Sequence, residues 1–259
     1  MLGRIHAILN LLKFDVVYHK IKDYLPQKFR GWVGKNLEEC KPIPLVTARE
    51  LQPRFKSACR QLTDRIGANG IGDYLEFGVC YGTSLHCMFQ TLKEMELDHV
   101  RLFGFDSFKG LPPIAAIDIE NYLQPGDYAS SLDSTTRTLT RKGIDWSRTF
   151  LIEGWFQETL NHSLIKNHNI KKASFIMLDC DLYSSAKEAL EFCLPLIKDT
   201  SIIFLDDWCD DKDKGERRAF HEFLKAHPHV KSEYLDSYSH NGKPTGKVFM
   251  LTNTLARSA

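Results

Sequence analysis

The sequence predicts an α/β fold in which a mainly parallel sheet is covered by helices on both faces. Short apolar runs alternate with helical segments after Lys41-Pro-Ile-Pro44, and this alternation is typical of sheets built from strand, helix and strand units. Acidic residues directly follow several of the apolar runs. Because ligands bind at the carboxyl edge of open α/β sheets, we expect any chemistry to lie along that edge.

The composition indicates a soluble globular protein of ordinary charge. Its 259 residues suffice for one large α/β domain. The 34 basic and 33 acidic side chains nearly cancel, so the whole-protein charge gives no reason to expect a nucleic-acid partner. The 7 cysteines are scattered without a CxxC pair. That usage predicts a reducing cytoplasm rather than a disulfide framework or a zinc site.

The N-terminal segment, residues 1–36, is rich in basic and aromatic side chains. Its apolar stretch at 5–12 is too short to span a bilayer, and no cleavage site follows it, so neither membrane insertion nor secretion is expected. We predict an accessory helix packed on the core or on a neighbouring subunit; an interfacial helix or substrate-binding arm is the alternative. The predicted division is an N-terminal helical extension at 1–66 and a main domain at 67–259.

The remaining elements follow from hydrophobic periodicity. The first helix of the core places one set of apolar residues on a single face, namely Leu51, Phe55, Ala58, Leu62 and Ile66. Buried strands are predicted at 74–79, 101–105, 149–153, 174–178 and 201–205. At the end of the chain, the segments 230–238 and 247–252 flank the turn-like His240-Asn-Gly-Lys-Pro-Thr-Gly246. They predict a terminal hairpin.

Glycines follow the first core strand in Glu76-Phe-Gly-Val-Cys-Tyr-Gly82. They would let the backbone approach a cofactor closely, while the Glu76 carboxylate would accept hydrogen bonds from an amine or a ribose. The dinucleotide-binding fingerprint is incomplete, because Cys80 and Thr83 stand where it has glycines. This motif therefore indicates either a cofactor-binding loop or an ordinary turn from strand to helix.

The next two strand ends carry side chains suited to a nucleoside. Asp106 stands where an acidic residue holds ribose hydroxyls in such folds, although a loop cap is the alternative. After the third strand, Trp155 and Phe156 are placed either to flank a planar base or to pack under the following helix. Taken together, the three strand ends predict one nucleoside-shaped site.

The fourth and fifth strands end in Asp179-Cys-Asp-Leu-Tyr183 and Asp206-Asp-Trp208. Carboxylates at strand ends are candidate metal ligands, while Asp206 and Asp207 are solvated loop acids in the alternative interpretation. Asp181 either contacts substrate or caps the helix that starts near residue 184. A helix is predicted at 215–226, and the acidic run from 206 to 216 gives way there to Arg217 and Arg218, which either bind an anionic group of the substrate or form an exposed helix start. Trp208 is a candidate wall of the substrate pocket.

From about residue 74 to residue 253 the chain resembles a class I S-adenosylmethionine-dependent methyltransferase, specifically the macrocin and mycinamicin sugar O-methyltransferase family. The resemblance rests on the ordered motifs EFGVCYGTS, GFDSFKGLP, EGWFQETL, LDCDLYSS and IIFLDDW. It implies a Rossmann-like, mainly parallel seven-stranded sheet with a reversed terminal strand. It also implies a binding site for the methyl donor made of Glu76, Gly78, Tyr81, Gly82, Thr83, Ser84, Asp106, Ser107, Gly154, Trp155 and Phe156.

The same resemblance implies a magnesium ion bound by Asp179, Asp206 and Asp207. Magnesium prefers oxygen ligands, and it makes a coordinated alcohol more acidic. Asp179 is the candidate for both metal binding and acceptance of the substrate proton, although a coordinated carboxylate is a poor base. The expected activity is magnesium-dependent methyl transfer from S-adenosylmethionine to a hydroxyl of a sugar or sugar-bearing natural product, by a cytoplasmic enzyme.

Several alternatives remain open at this point. A catechol or another vicinal diol would offer the metal the same paired oxygens as a sugar. A non-catalytic nucleoside-binding protein would keep the fold, and an NAD-dependent oxidoreductase would leave the three aspartates without a purpose. The resemblance also makes a homo-oligomer plausible, with the N-terminal segment closing a neighbour's site. The loop at 112–128 is expected to decide the shape of the acceptor.

Overall fold

The computed structural model describes residues 46–118, 123–208, 213–240 and 243–255, apart from the side chains of residues 240, 243 and 244. The expectations for the N-terminal segment, residues 1–36, therefore lie outside the described residues. Within the described part, no helix combines the length and the apolar character needed to cross a bilayer.

A seven-stranded sheet forms the centre of the described structure, in the order β3-β2-β1-β4-β5-β7-β6. The pairings β3–β2, β2–β1, β1–β4 and β4–β5 are parallel, whereas β7 is antiparallel to both β5 and β6. The predicted mainly parallel sheet with a reversed terminal strand is confirmed. Its strands are β1 (Asp73–Phe77), β2 (Leu102–Asp106), β3 (Thr149–Glu153), β4 (Ala173–Leu178), β5 (Thr200–Leu205), β6 (Val230–His240) and β7 (Lys243–Asn253).

Helices cover both faces of this sheet. Side chains of the first three helices join the core on one face, and those of the last four join the core on the other. The helix predicted at 215–226 has those bounds; Glu216 in its first turn is fully buried, while the side chain of Arg218 is 39% exposed. The helices are α1 (Ala48–Ile66), α2 (Thr83–Glu94), α3 (Leu132–Arg141), α4 (Phe156–Thr159), α5 (His162–Asn167), α6 (Tyr183–Cys193) and α7 (Gly215–Ala226).

Helix α1 packs on the sheet through the apolar face read from its sequence. Leu51, Phe55, Ala58 and Leu62 are buried, and Ile66 at the end of the helix is partly buried. The ring of Phe55 meets that of Phe204 in β5 edge to face, with 4.9 Å between centroids. The helix thus shares the core of the sheet, and the predicted domain division at residue 66 stays a prediction.

Strand β1 lies at the middle of the parallel part and is buried along its whole length. Tyr74 belongs to the same core as α1 and α2, whereas Leu75 and Phe77 belong to the core on the opposite face. This alternation follows from the two-residue period of a strand. It turns Glu76, which shares the face of Tyr74, towards α2.

The parallel ladder continues for one residue beyond the strand ends. The N–H of Gly78 donates to the Phe105 carbonyl, and that of Asp179 donates to the Phe77 carbonyl, both at 2.9 Å. The N–H of Asp206 donates to the carbonyl of Leu178 at the same distance, 2.9 Å. These bonds fix Gly78, Asp179 and Asp206 at the carboxyl edge, each one residue beyond the end of its strand.

The terminal hairpin is also confirmed, with longer strands than the sequence suggested. Strands β6 and β7 pair antiparallel as far as His240 and Lys243, so strand residues occupy the described part of the turn expected at 240–246; residues 241–242 lie outside the described residues. Near this end, Tyr238 is fully buried and lies opposite Gly246. A side chain on Gly246 would reach within 2.1 Å of the Tyr238 ring. The glycine therefore makes room for the tyrosine.

We expect Gly78→Ala to destabilise the fold by more than about 3 kcal/mol. A Cβ at Gly78 would lie 1.7 Å from the carbonyl oxygen of Asp179, and the residue has φ +94. Gly143→Ala is the matched control, because Gly143 has φ +77 with nothing within 4 Å of the added Cβ. The control should lose only about 1–2 kcal/mol to left-handed strain. Equal losses in urea unfolding would refute the steric explanation.

Candidate active site

The loop between β1 and α2 lies at the carboxyl edge and depends on two glycines in left-handed conformations. Gly78 has φ 94 and Gly82 has φ 74. Gly82 directly precedes Thr83, the first residue of α2, and a Cβ on Gly82 would lie 2.8 Å from the side chain of Leu139. The glycines therefore allow the loop to run close to β4 and α3. Tyr81, between them, is half-buried, and its hydroxyl is 3.5 Å from the Ala129 carbonyl.

Glu76 is fully buried, and other side chains of the protein contact both of its carboxylate oxygens. Tyr74 donates its hydroxyl to Oε2, and Ser84 donates its hydroxyl to Oε1 at 2.8 Å. Burial raises the pKa of Glu76 to about 8, and the hydrogen bonds from Tyr74 and Ser84 oppose this shift. These contacts hold the end of β1 to the first turn of α2. The sequence had suggested instead that the carboxylate is available to an amine or a ribose.

Asp106 ties two loops together through backbone hydrogen bonds. Its Oδ2 accepts the N–H groups of Val79 and Cys80 at 2.8 and 2.7 Å, and its Oδ1 accepts that of Phe108 at 2.7 Å. The alternative of a loop cap thus describes its observed contacts, and Oδ1 has one lone pair left for a ribose hydroxyl. The buried hydroxyl of Ser107 shapes the same loop, since it donates to the Gly110 carbonyl at 2.9 Å.

The end of β3 brings Gly154, Trp155 and Phe156 to the same edge. Gly154 has φ +144, and its N–H donates to the carbonyl of Asp106 at 3.0 Å. Phe156 packs edge to face on Phe77 in the core, with ring centroids 5.8 Å apart. The packing alternative therefore describes Phe156. Trp155 precedes the short helix α4 and is half-buried, which leaves part of its ring accessible beside the strand ends.

Carboxylates from β4 and β5 crowd together at the other half of the edge. Burial and the like charges of Asp206, Asp207 and Asp181 raise the pKa of Asp179 well above its ordinary value. Burial and the charge of Asp207 raise that of Asp206 to about 7. The N–H of Asp181 donates to Oδ2 of Asp207 at 3.0 Å. Neighbouring carboxylates repel each other when both are ionised, and protonation or a bound cation removes this repulsion.

Within the described residues, Asp206 Oδ1 is buried and makes no hydrogen bond of ordinary geometry, although the buried hydroxyl of Tyr238 lies close enough to lower the pKa of Asp206. An unpartnered carboxylate oxygen is costly in a protein interior, so it marks a place where a cation or a donor would be stabilising. Among the described residues, however, no three acidic, histidine or cysteine side chains converge as a ready-made metal site. The three aspartates thus share one edge without being arranged as a closed set of ligands.

Glu216 is the buried acid that sequence reasoning missed. It is fully buried at the start of α7, where its Oε1 accepts the N–H of Cys180 and its Oε2 accepts that of Asp207, both at 3.1 Å. One carboxylate thus clamps the loops after β4 and β5 together. Glu216 belongs to a run of acidic residues, and nothing in that run distinguishes it from its neighbours. Only the fold buries Glu216 while it leaves Asp213 exposed.

One alternative near these acids is wrong. Asp181 does not cap α6: the residue before that helix is Leu182, and the N–H groups of Tyr183 and Ser184 donate instead to the distant Asp118. Trp208 is buried and packs against Phe249, with 5.3 Å between ring centroids, and its role as a wall of the substrate pocket stays a prediction.

Comparison with known proteins places this architecture in a family. Residues 48–234 match the family described as macrocin O-methyltransferase (TylF). The chain is also 29% identical over 163 residues to the 8-demethyl-8-(2,3-dimethoxy-α-L-rhamnosyl)-tetracenomycin-C 4'-O-methyltransferase of Streptomyces olivaceus. That alignment covers 60% of this chain and spans 59% of the length of the curated relative.

Solved structures agree on the fold. The O-methyltransferase NovP matches with a TM-score of 0.60 and 20% identity, covering 76% of this chain and 78% of its own. CalS11, a calicheamicin methyltransferase, matches with a TM-score of 0.59 and 21% identity, covering 83% of this chain and 88% of its own. At these identities the likeness shows that the sheet and its helices have the class I methyltransferase arrangement.

Glu76→Gln tests the buried carboxyl at the end of β1. Because the folded-state pKa of Glu76 is raised to about 8, its contribution to stability is present at low pH and is lost as the pH rises through that value. The variant lacks this titration. We expect its stability relative to the unsubstituted protein to increase by roughly 2–5 kcal/mol from about pH 5 to about pH 9. Urea unfolding at several pH values measures this difference, and parallel pH profiles would contradict it.

Proposed function

The chain belongs to the macrocin O-methyltransferase (TylF) family, and from this premise we propose that it transfers a methyl group from S-adenosylmethionine to a hydroxyl of a sugar borne by a natural product. One observation carries the proposal: the glycine loop after β1 meets the acidic edge at Asp179. The Asp179 N–H bonds to the Phe77 carbonyl, and its own carbonyl lies against Gly78. A donor bound by the glycine loop would therefore adjoin an acceptor held at the acids.

The donor would lie along the carboxyl ends of β1, β2 and β3. Support comes from the left-handed glycines, which remove side chains from this stretch of backbone, and from the accessible ring of Trp155. Asp106 would hold the loop in shape and offer its remaining lone pair to a ribose. The residues proposed to line this site are Glu76, Gly78, Tyr81, Gly82, Thr83, Ser84, Asp106, Ser107, Gly154, Trp155 and Phe156.

We further propose that Asp179, Asp206 and Asp207 bind Mg²⁺ during the reaction. The oxygen donors suit this ion, and two features support a cation here. Within the described residues, the buried Oδ1 of Asp206 makes no hydrogen bond of ordinary geometry, and the like charges of neighbouring aspartates surround Asp179. Because the side chains do not converge in a ready-made cluster within the described residues, the aspartates would have to adjust to the ion. Their backbone positions are already fixed by the ladder hydrogen bonds.

The protein's contribution to catalysis would be alignment and proton transfer. S-adenosylmethionine supplies the electrophilic methyl group, and Mg²⁺ would acidify the acceptor hydroxyl. Asp179 would accept the hydroxyl proton, since it is the acid that adjoins the donor loop. Glu216 would keep the loops of Asp179 and Asp207 in register by holding the N–H groups of Cys180 and Asp207.

Calorimetric titration with S-adenosylhomocysteine tests the donor assignment, and mass spectrometry of a methylated glycoside tests the reaction. The glycoside to try first is the rhamnosyl-tetracenomycin substrate named for the Streptomyces olivaceus relative, alongside a catechol. We expect Asp206→Asn and Asp207→Asn each to lower kcat/KM by about 100-fold or more, because each removes a charged ligand. Removal of Mg²⁺ with EDTA should have a comparable effect.

The matched control is Asp213→Asn, which neutralises an exposed acid on the same connection. It should leave turnover unchanged. Full turnover in EDTA, with active Asp206 and Asp207 variants, would refute the magnesium proposal but leave methyl transfer intact. Failure of the unsubstituted protein to bind S-adenosylhomocysteine would refute the donor assignment itself, and methylation of the catechol alone would refute the sugar acceptor.

A further inference from the structure

Helix α6 begins without a cap from its own sequence. Its N-cap residue is Leu182, whose side chain cannot accept a hydrogen bond, although the first N–H groups of any helix need acceptors. Asp118 provides them from 65 positions away: its Oδ1 accepts the N–H of Tyr183 at 2.7 Å. Its Oδ2 is 3.3 Å from the N–H of Ser184. A carboxylate at this end also interacts favourably with the helix dipole.

Asp118 belongs to the connection between β2 and α3, whose described parts are residues 107–118 and 123–131; we call it the β2–α3 loop. The carboxylate of Asp118 makes these contacts away from solvent, since the residue is only 5% exposed. Beside it, Leu111 and Leu123 of the loop form a small apolar cluster with Leu182. The loop is thus anchored to the helix that follows Asp179 and Asp181, by one charged contact and one apolar contact.

The far end of the same loop is anchored to the donor side. The carbonyl of Cys80 accepts hydrogen bonds from Ser130 Oγ at 2.9 Å and from Thr135 Oγ1 at 2.6 Å. The thiol of Cys80 lies 3.4 Å from the carbonyl of Tyr128. The β2–α3 loop therefore spans the site, with separate attachments to the glycine loop and to α6.

We propose that Asp118 is a positioning residue for the acceptor: by capping α6 it fixes the β2–α3 loop over the acidic edge. The loop carries two large apolar side chains that are exposed: Ile117 beside this anchor, at 50%, and Tyr128 at the other end of the loop, at 40%. They are the surfaces that an acceptor would meet once the loop is fixed. This inference rests on the proposed function only for the identity of what binds there; the anchoring itself does not depend on it.

The separate attachments make the inference testable with the variants Asp118→Asn and Asp118→Ala. In the asparagine variant, the amide oxygen can still accept the N–H of Tyr183, but the NH₂ group cannot accept the N–H of Ser184. In the alanine variant, both N–H groups lose their acceptor. In hydrogen–deuterium exchange, protection of the Tyr183 and Ser184 amides and of residues 123–128 should fall about tenfold in the alanine variant and less in the asparagine variant. Asp133→Asn is the control: Asp133 also lies in the first turn of a helix, but it is exposed and pairs only locally, with Arg137.

Kinetics distinguish positioning from a general loss of structure. With the rhamnosyl-tetracenomycin glycoside as the probe, KM should rise about tenfold in the alanine variant, with smaller changes in kcat and in the affinity for S-adenosylhomocysteine. The KM of the asparagine variant should lie between those of the alanine variant and the unsubstituted protein. Unchanged exchange at α6, or equal losses in donor affinity and acceptor KM, would overturn the inference. Absence of methyl transfer in the unsubstituted protein would instead count against the proposed function, while the exchange data would still decide the anchoring by Asp118.

Discussion

Hydrogen bonds from backbone N–H groups to buried carboxylates hold the carboxyl edge of the sheet together. Asp106 accepts hydrogen bonds from three N–H groups, and Asp118 and Glu216 accept them from two each. All of these N–H groups belong to loops or to the start of a helix. These bonds satisfy donor and acceptor in places with little water, where a hydrogen bond is stronger and an unpaired polar group is costly. The positions of the loops at the site depend on these few side chains.

Acidic side chains at this edge are suited either to holding the structure together or to binding a ligand. The hydrogen-bond partners of each carboxylate distinguish the two roles. Glu76 and Glu216 have both oxygens in contact with donors of the protein, so they are suited to holding structure. Within the described residues, Asp206 keeps a buried oxygen that makes no hydrogen bond of ordinary geometry, and the charge of Asp207 lies close to it. A buried polar atom that lacks a good hydrogen bond is typical of a binding site, because a bound ligand can supply the missing interaction.

In the proposed function, the site has a donor half and an acceptor half that meet at Asp179. The ladder hydrogen bonds of Gly78, Asp179 and Asp206 extend the sheet by one residue. They fix the backbone of both proposed halves, so the proposed chemistry needs side chains to adjust while the sheet keeps its place. Alignment of two substrates is what such a rigid edge supplies.

The sequence by itself determined the five buried strands, the terminal hairpin, the bounds of α7 and the residues at the strand ends, because hydrophobic period and turn chemistry act over a few neighbouring positions. It identified Gly78, Asp106 and Asp179 as edge residues for the same reason. Only the tertiary structure decided that Glu216 is buried, that Trp208 packs in the core, and that Asp118 rather than Asp181 caps α6. Those outcomes depend on contacts between segments far apart in the chain, and no local pattern specifies which distant N–H group a carboxylate will meet.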